Sequence, residues 1–569
     1  MDHKPKNISI GVDEPVKPHV ALVMGLQHSF AMSSTLVMAA VIVGAAGAAV
    51  ADTQQLIRIT MIVLGIATIL QSLRRGPIGC GYLCPGVAGP GYLPASTLAA
   101  STGGISAIFG MLVIAGLFQM VIARFVNRLR AVMPPEVTGV IIAMVGISLI
   151  PVGVSLMAGY DHHDETADPL EAAVSVATIA IMYVLTIWGG QHLRTYSVLI
   201  GIVVGYLGAL AVGVIPADSL QRWREAAWVG LPQFHAPWRL SFDMTLLVPF
   251  LIAGLAAAVK TIGVVSTCQR INDSSWSAPD MGSVRGGVFA NGLSTILAGL
   301  AGGMAPSVSS SNVGLSLASG ITSRWIGYSA GGLFILMAFS PLVTTVFVTM
   351  PAPVKGAILV YVACFIIVAG LQLVLAHHVS PRTTLIVGTS IIAGLSVDFL
   401  PEIYDRLPVW LHAFTHSPLA FATVVAIGLN LVFRIGIARR ASLTIDLDHL
   451  DIDEVARFLN RCGADWGLRP DMVRQAIPTI SDVLDVALAD YQDRNVRLDA
   501  RFDRTYLDLY LHYQGPPLEV PDDAPDPDDL AKDNSQLTRL SGYFVRLSAT
   551  EVRQFGKGQN QVLNIRFAH

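Results

Sequence analysis

The sequence predicts an α-helical membrane protein of about 14 transmembrane segments with a C-terminal cytosolic α/β domain. Of its 569 residues, 53% are hydrophobic and 14% are charged, whereas about 25% of the residues of a soluble domain are charged. Apolar stretches near the ~20 residues that cross a bilayer recur from Ala21 to Gly436. After Arg440 the chain becomes polar and amphipathic, which predicts a separate soluble domain.

The membrane part divides into plain and interrupted segments. About eleven segments have the length of uninterrupted apolar helices, and they begin near Ala21, Leu56, Gly104, Glu136, Leu170, Tyr196, Thr245, Trp325, Val354, Thr383 and Pro418. Three others, near Ile78, Val284 and Ala305, are short or rich in glycine, proline and serine. We expect those three to be interrupted spans.

Charge and cysteine content exclude several classes of protein. The net charge is −3 and no basic stripe dominates, so we expect no nucleic-acid partner. The five cysteines are scattered and predict no disulfide framework. The polar N-terminus lacks the short apolar core of a signal peptide, so the first span is expected to insert uncleaved.

The basic residues predict the orientation of the chain. Loops on the side of the N-terminus carry Arg74, Arg124, Arg270, Arg285, Arg324, Arg382, Arg439 and Arg440, whereas a loop on the other side reads DHHDETADPLEA. This asymmetry predicts a multi-pass protein of the cytoplasmic (inner) membrane with both termini in the cytoplasm. The predicted domains are a cytosolic tail (1–19), a transmembrane domain (20–437) and a cytosolic α/β domain (438–569).

A weak internal repeat relates the two halves of the membrane domain. MPPEVTG at Met133–Gly139 opens one apolar segment, and MPAPVKG at Met350–Gly356 opens another seven segments later. Because seven is odd, two similar halves would be inverted relative to each other, which is typical of transporters. Proline-rich helix starts are common, however, and would explain the two motifs equally well.

The segments Gly76–Ser96 and Gly303–Gly320 form a matched pair of glycine-rich interruptions. Irregular backbone survives at membrane depth only where protein buries it or where it lines a wet cavity. In transporters such segments meet near the midplane, with helix N-termini facing the substrate. Ala88, Gly89 and Ser310 are therefore candidate substrate-binding residues.

Four blocks resemble the nucleobase/ascorbate transporter family, the xanthine and uracil permeases, and together they span 22–433. They are GLQHSFAM at Gly25–Met32, PPEVTGVI at Pro134–Ile141, FANGLSTILAGLAGG at Phe289–Gly303 and SNVGLSLASGITSR at Ser311–Arg324. The resemblance implies two inverted seven-span repeats arranged as core and gate domains, with short strands in the third and tenth spans. It also implies an elevator-like mechanism coupled to H+ or Na+. We expect a homodimer surrounded by membrane lipid.

Two positions depart from that family. Lys260 stands where the family usually has a base-binding Glu, and Ser311 stands where it has Glu or Gln before Asn312. A lysine within a span costs about 2.5–3.5 kcal/mol and normally marks a substrate or ion path. We hypothesise that Lys260 binds an anionic ligand such as an oxopurine anion or a small carboxylate. A structural tether to carbonyl groups and a proton carrier are the alternatives.

Each of the other candidate site residues has a structural interpretation as well as a functional one. His28 is assigned to the site, although a histidine on an apolar face is often only a core residue, and Gln27 is expected to orient it. Asn312 either contacts ligand or fixes a backbone turn. Ser310 and Ser311 either line the cavity or are small residues that allow close helix approach.

No metal or cofactor is predicted. Cys80 and Cys84 are two thiols without a second pair, whereas a closed zinc site needs four ligands. The cluster Asp161, His162, His163 and Asp164 is interpreted as a solvated acidic surface. The C-terminal domain faintly resembles the ATP-binding fold of anti-sigma-factor kinases but lacks its glycine-rich phosphate-binding turns, so we expect a regulatory or dimer-stabilising role.

These observations favour a secondary active transporter of nucleobases such as xanthine, uracil or urate, and not an enzyme. Its partner is a small heterocyclic base or an anion. Two alternatives remain at this stage. The protein could be an anion transporter or exchanger that uses Lys260, or a membrane ligand sensor with a cytosolic signalling domain.

Overall fold

The computed structural model describes residues 4–568 except 7, 48–49, 75, 127–132, 161–165, 191–192, 194–195, 216, 233–239, 275–278, 376–378, 409–410, 412–414, 416, 434–438, 469, 485–494, 504–505, 522–533 and 558. The predicted boundary at 437/438 and the Asp161–Asp164 cluster lie outside the described residues. The chain forms two compact units, Met1–Asn430 and Leu431–His569.

Among its described residues, the regular structure of the first unit is helical apart from two three-residue strands. Its first half contains α1 (Pro18–Ser33), α2 (Val37–Ala45), α3 (Val50–Ser72), β1 (Gly86–Ala88), α4 (Leu93–Arg124), α5 (Pro135–Ile147), α6 (Ile150–Ala158), α7 (Pro169–Ile187), α8 (Ser197–Val212) and α9 (Ala217–Glu225). Its second half contains α10 (Leu247–Asn272), α11 (Met281–Ala301), β2 (Pro306–Val308), α12 (Ser310–Ser319), α13 (Arg324–Ala338), α14 (Pro341–Val348), α15 (Ala352–Leu375), α16 (Pro381–Phe399), α17 (Pro401–Asp405) and α18 (Pro418–Val432).

Within the described residues, eight stretches are long and apolar enough to cross a membrane. The pair α13 and α14 would add a ninth, but it is bent by 82° at the break between them. The helices α8 and α18 are apolar but shorter. These elements agree with the predicted helical membrane fold, and the count of fourteen spans stays a prediction.

The long helix α4 is two helices joined at Gly104. This residue has φ +72° and ψ −177°, a conformation outside the helical region. A side chain at such a positive φ is strained, so glycine permits the break without that cost. The part of α4 before Gly104 belongs to the segment that begins at β1. The part after Gly104 is the helix that the sequence predicts to begin near this residue.

The segment near Val284 is not interrupted, in contrast to the prediction. It forms the regular 21-residue helix α11. Its glycines serve close packing instead, since a Cβ on Gly286 would lie 2.3 Å from the carbonyl oxygen of Gly79. Glycine content alone therefore does not distinguish a broken span from a tightly crossed helix.

Glycine pairs also bring the other long helices together. A Cβ on Gly331 in α13 would lie 2.6 Å from the carbonyl oxygen of Gly65 in α3, and the reciprocal distance is the same. Gly116 in α4 and Gly292 in α11 approach each other in the same manner, at 2.7 and 2.8 Å. Small residues of this kind allow helices to pack backbone against backbone in lipid.

A second set of helices packs around α15. A Cβ on Gly139 of α5 would lie 2.6 Å from the carbonyl oxygen of Gly370, and a Cβ on Gly356 would lie 2.7 Å from that of Gly153 in α6. Gly139 and Gly356 end the two similar motifs MPPEVTG and MPAPVKG. Gly153 and Gly370 each lie fourteen positions further on, so the two crossings are equivalent.

Arg58 is a buried cation within the membrane helix α3. Its Nε donates to the carbonyl oxygen of Ala338 at 2.9 Å, and its Nη2 donates to that of Gly230. Ala338 is the last residue of α13, where the helix dipole places partial negative charge. Arg58 thus satisfies the carbonyl group at the end of α13 and the carbonyl group of Gly230.

We expect Arg58→Met to destabilise the protein by about 1–3 kcal/mol for each carbonyl group left without a donor. Thermal unfolding of the detergent-solubilised protein measures this loss. Gln54→Met, one turn earlier, is the matched control because the Gln54 amide makes only two long contacts of 3.4 Å. Equal melting temperatures for the two variants would contradict the capping role.

The second unit is an α/β domain. Its elements are β3 (Arg439–Asp446), α19 (Ile452–Trp466), α20 (Pro470–Asp482), β4 (Asn495–Phe502), β5 (Tyr506–Gln514), α21 (Asn534–Ser548), β6 (Glu551–Lys557) and β7 (Asn560–Ala568). The strands form one antiparallel sheet in the order β3-β4-β5-β7-β6. Apolar side chains at alternate positions of the strands point into the core on one face of the sheet. On the other face, Arg566 Nε forms an ion pair with Asp508 Oδ1 at 2.6 Å. This pair raises the pKa of Arg566.

Candidate functional site

The two glycine-rich segments meet as an antiparallel pair of strands. Gly86 of β1 lies opposite Val308 of β2, and Ala88 lies opposite Pro306. The pairing continues beyond the strands, because the Gly89 N–H donates to the carbonyl oxygen of Ala305 at 2.9 Å. The two segments that the sequence paired by composition are therefore in direct contact.

Threonine hydroxyls satisfy the outer amides of the strand pair. Gly86 N–H donates to Thr68 Oγ1 at 2.9 Å and Ala88 N–H to Thr35 Oγ1 at 3.0 Å. Met304 N–H donates to Thr60 Oγ1, also at 3.0 Å. These bonds explain how irregular backbone is tolerated at this depth. The N–H groups of Ala88 and Gly89 are thus occupied within the protein.

The N-terminus of α12 presents free amides beside the strands. Ser309 caps the helix, since its Oγ accepts the Asn312 N–H at 3.2 Å and Asn312 Nδ2 at 3.0 Å. Ser310 and Ser311 are the first two helical residues, and both are exposed. Their N–H groups have no acceptor among the described residues. Such amides, at the positive end of a helix dipole, attract acceptors and anions.

His28 and Asn312 are in direct contact although 284 positions separate them. His28 is fully buried in α1, and its Nδ1 lies 2.8 Å from Asn312 Oδ1. Because an amide oxygen only accepts, Nδ1 carries the proton of the neutral ring. Nε2 is then an acceptor, and it is buried without a partner within the described part of the chain. A ligand N–H group would complete it.

Gln27 and Lys260 make no bond to His28 or Asn312 within the described residues. Gln27 precedes His28 in α1 and is half-buried. Lys260 is half-buried in α10 and forms no ion pair or hydrogen bond with the described residues. One turn earlier, Ala256 lies 3.9 Å from the position that a Cβ on Gly91 would occupy. Lys260 therefore shares the helix face that approaches the start of α4.

Sequence reasoning missed a buried polar network next to the strands. Asn291 Nδ2 donates to Gln119 Oε1 at 2.7 Å, and Gln119 Nε2 donates to the Tyr92 hydroxyl. All three side chains are buried. Tyr92 lies in the first glycine-rich segment and Asn291 in the FANG block, so both were within quoted motifs. Nothing in the sequence indicated that Gln119 joins them.

The described residues contain no group of three or more His, Cys, Asp or Glu side chains that could bind a metal ion. Cys84 Sγ lies 3.2 Å from Cys268 Sγ, and all five cysteines are free. In the second unit, burial raises the pKa of the Cys462 thiol to about 11, so it is protonated at neutral pH.

Two interrupted segments that meet through short strands, with buried polar side chains beside them and membrane-length helices around them, are the architecture of a solute transporter. The chain belongs to the permease family of the xanthine/uracil type, whose model matches residues 19–403. The predicted family is therefore confirmed, and the protein is a transporter and not an enzyme. The second unit lies beyond the matched residues.

Two curated relatives match most of the chain. The xanthine permease XanP of Escherichia coli (strain K12) is 28% identical over an alignment of 437 residues that covers 74% of this chain and 93% of that protein. The uric acid permease PucJ of Bacillus subtilis (strain 168) is 28% identical over an alignment of 422 residues that covers 72% of this chain and 92% of that protein.

A solved structure shows a similar fold at low sequence identity. The transmembrane domain of a cyanobacterium bicarbonate transporter, BicA, matches with a TM-score of 0.50 and 14% identity. The match covers 74% of this chain and 100% of that domain. The helical membrane transporter fold is therefore shared.

Proposed function

We propose that this permease carries oxopurine nucleobases, such as xanthine and urate, across the cytoplasmic membrane. The names of the two relatives support the substrate class. Two features of the described residues carry the proposal. The Nε2 of His28 is buried without a partner among them, and the backbone N–H groups of Ser310 and Ser311 have no acceptor among them. Purine rings have both kinds of partner, ring N–H donors and exocyclic carbonyl acceptors.

In this proposal each group has one role. His28 Nε2 accepts a ring N–H, and Asn312 fixes the tautomer by accepting from Nδ1. The amides and hydroxyls of Ser310 and Ser311 donate to carbonyl oxygens of the base. Ala88 and Gly89 form the wall opposite, because their own N–H groups are already bonded. Gln27 orients the His28 end of the site.

Lys260 supplies the preference between neutral and charged bases. It has no carboxylate partner within the described residues, and the family's usual base-binding Glu is absent at this position. A half-buried ammonium group favours an anion over a neutral ligand. We therefore assign urate-like anions as preferred substrates. Anion exchange through Lys260 is the second candidate function.

The glycine crossings support an inverted repeat of two seven-span halves. Gly139 and Gly356 make equivalent contacts with Gly370 and Gly153. Likewise, Gly65 opens the sequence GIATIL and Gly292 opens GLSTIL, and both contact a glycine on another helix. We propose fourteen spans. The spans that contain β1 and β2 belong to the core domain, and the helices that pack around α15 form the gate domain. Elevator-like movement of the core, coupled to H+ or Na+, would carry the substrate.

The second unit lies beyond the residues that the family model matches. We propose a regulatory role for residues 438–569, with both termini in the cytoplasm and a homodimer in the inner membrane. The positions of the basic loops support this orientation. Truncation after residue 437 should leave substrate affinity unchanged while altering the rate or its control.

Uptake by purified protein in proteoliposomes tests the proposal. We expect radiolabelled xanthine and urate to enter above the level of empty liposomes. Lys260→Met should raise the KM for urate by about tenfold, because a charge-assisted interaction contributes about 1.5–3 kcal/mol. Lys260→Arg keeps the charge and should retain most of the urate affinity.

Three outcomes separate the candidates. Uptake that requires internal substrate would indicate an exchanger. Binding of xanthine without any transport would indicate a sensor. If Lys260→Met reduced the uptake of urate and of neutral uracil equally, the ammonium group would be a structural tether and not a group that selects anions.

A further inference from the structure

The segment Ile8–Glu14, here called the N-terminal strap, is bonded along the connection between α12 and α13. The Ser9 N–H and Oγ both donate to the carbonyl oxygen of Gly320 at 2.8 Å, and the Ile10 N–H donates to it at 3.2 Å. Gly320 ends α12 at φ +68°. The strap therefore caps the C-terminus of the helix whose N-terminus faces the proposed site.

Further bonds continue along the strap. The Thr322 N–H donates to the carbonyl oxygen of Ile10 at 2.9 Å, and the Arg324 N–H donates to that of Val12 at 3.0 Å. Arg324 also forms an ion pair with Asp13. Lys4 bonds to Glu14 at 2.7 Å and lowers the pKa of that carboxyl group. The strap is thus an ordered element and not a free tail.

The strap links the N-terminal end of α1 to the C-terminal end of α12, and these two helices meet again at the site. The helix α1 begins at Pro18, four residues after the end of the strap, and His28 lies ten residues along it, a rise of about 15 Å. Asn312 lies eight residues before Gly320 in α12, a rise of about 12 Å. His28 and Asn312 close the loop at the other end.

We propose that the N-terminal strap is a positioning element that sets the register of α1 against α12, and so the geometry of the His28–Asn312 pair. Any slip of α12 along α1 would stretch the 2.8 Å contact between Nδ1 and Oδ1. Loss of that contact would free the imidazole to rotate, and Nε2 would no longer be aimed at the ligand. The strap therefore acts on substrate affinity through His28.

The surroundings of the strap give it room to move. A cavity of about 220 Å³ lies beneath it, and Gly11, Asp13 and Glu14 form part of the wall. The remaining wall includes Arg74, Cys80, Gln269 and Asn272. Because part of the strap borders this space, weakening its bonds can displace that part without unfolding the helices.

The test uses the full-length chain with two substitutions in the strap itself, Ser9→Ala and Asp13→Asn. Together they remove the Oγ bond to Gly320 and the ion pair to Arg324. We expect the KM for xanthine to rise about fivefold, as the loss of one net hydrogen bond predicts, with kcat and the melting temperature unchanged. Lys6→Ala is the matched control in the same tail, because Lys6 is exposed and makes no bond to the strap or to 320–324 within the described residues, and it should not alter KM.

A second readout does not depend on the substrate. Hydrogen exchange followed by mass spectrometry should show faster exchange in peptides of α12 in the double variant, and unchanged exchange in α19. The charge reversal Asp13→Arg should weaken binding in the same way, and adding Arg324→Asp should restore it. Rescue of this kind is not expected if Asp13 only contributes to general stability.

The outcomes distinguish a failure of this inference from a failure of the proposed function. The KM measurement rests on the proposed function, whereas the hydrogen-exchange measurement does not. Unchanged KM and unchanged α12 exchange would overturn it, as would a rise in KM that merely follows a lower melting temperature. If the wild-type protein takes up no xanthine, the proposed function fails. Exchange in α12 then decides the inference alone, since faster exchange supports it and unchanged exchange rejects it.

Discussion

Gly331→Ala is expected to prevent accumulation of folded protein in the membrane. The new Cβ would lie 2.6 Å from the carbonyl oxygen of Gly65, a distance that real Cβ atoms do not adopt. Because backbone occupies both sides of the crossing, relief requires α3 and α13 to separate. We expect a loss of at least about 3 kcal/mol, the upper range for overpacking. Size-exclusion profiles and melting temperatures in detergent measure it.

The neighbouring residue provides the control. A Cβ on Gly332 would meet nothing within 4 Å, and alanine is about 1 kcal/mol better than glycine inside a helix. Gly332→Ala should therefore match or exceed wild-type stability. Gly116→Ala, at the equivalent crossing with Gly292, should prevent accumulation of folded protein as Gly331→Ala does. Similar yields for Gly331→Ala and Gly332→Ala would show that the helices do not cross this closely.

Asn312→Leu is expected to lower kcat/KM for xanthine by about a hundredfold. Leucine is similar in size but cannot accept from His28 or donate to Ser309. The buried Nδ1 proton of His28 would then have no acceptor, at a cost of about 1–3 kcal/mol, and the ring would lose its fixed tautomer. Proteoliposome uptake at several substrate concentrations gives the value.

Ser316→Ala is the matched control for this substitution. Ser316 is buried one turn further along α12, and its hydroxyl bonds only to the carbonyl oxygen of Asn312 in the same helix. We expect nearly normal uptake from this variant. If Asn312→Leu also kept normal kinetics while remaining folded, the His28–Asn312 pair would be part of the core and not of the site.

Composition was enough to predict the pairing of Gly76–Ser96 with Gly303–Gly320, because apolar runs rarely contain so many glycines and prolines without a functional reason. The same rule was wrong near Val284, where Gly286 lets another segment approach α11. An interrupted span and a closely packed helix can both be rich in glycine, so their sequences look alike. The difference lies in the tertiary neighbour, which a single sequence does not report.

The contact of His28 with Asn312 was accessible only through the resemblance, since no local pattern relates positions 284 apart. Thr35, Thr60 and Thr68 gave no signal either, because a threonine in a membrane helix normally bonds to its own backbone. The strap was missed for a different reason. Its bonds are made mostly by backbone groups, which every residue possesses.

The threonine bonds have a further consequence for the transport cycle. They attach the strand pair to three positions on two neighbouring spans, so the walls of the pocket cannot shift independently of those spans. In the proposed elevator-like movement, a bound base would therefore keep the same protein contacts whichever side of the membrane is open. The site would then have equal affinity for the base on both sides, and the direction of transport would depend on the gradients of the substrate and of the proposed coupling ion.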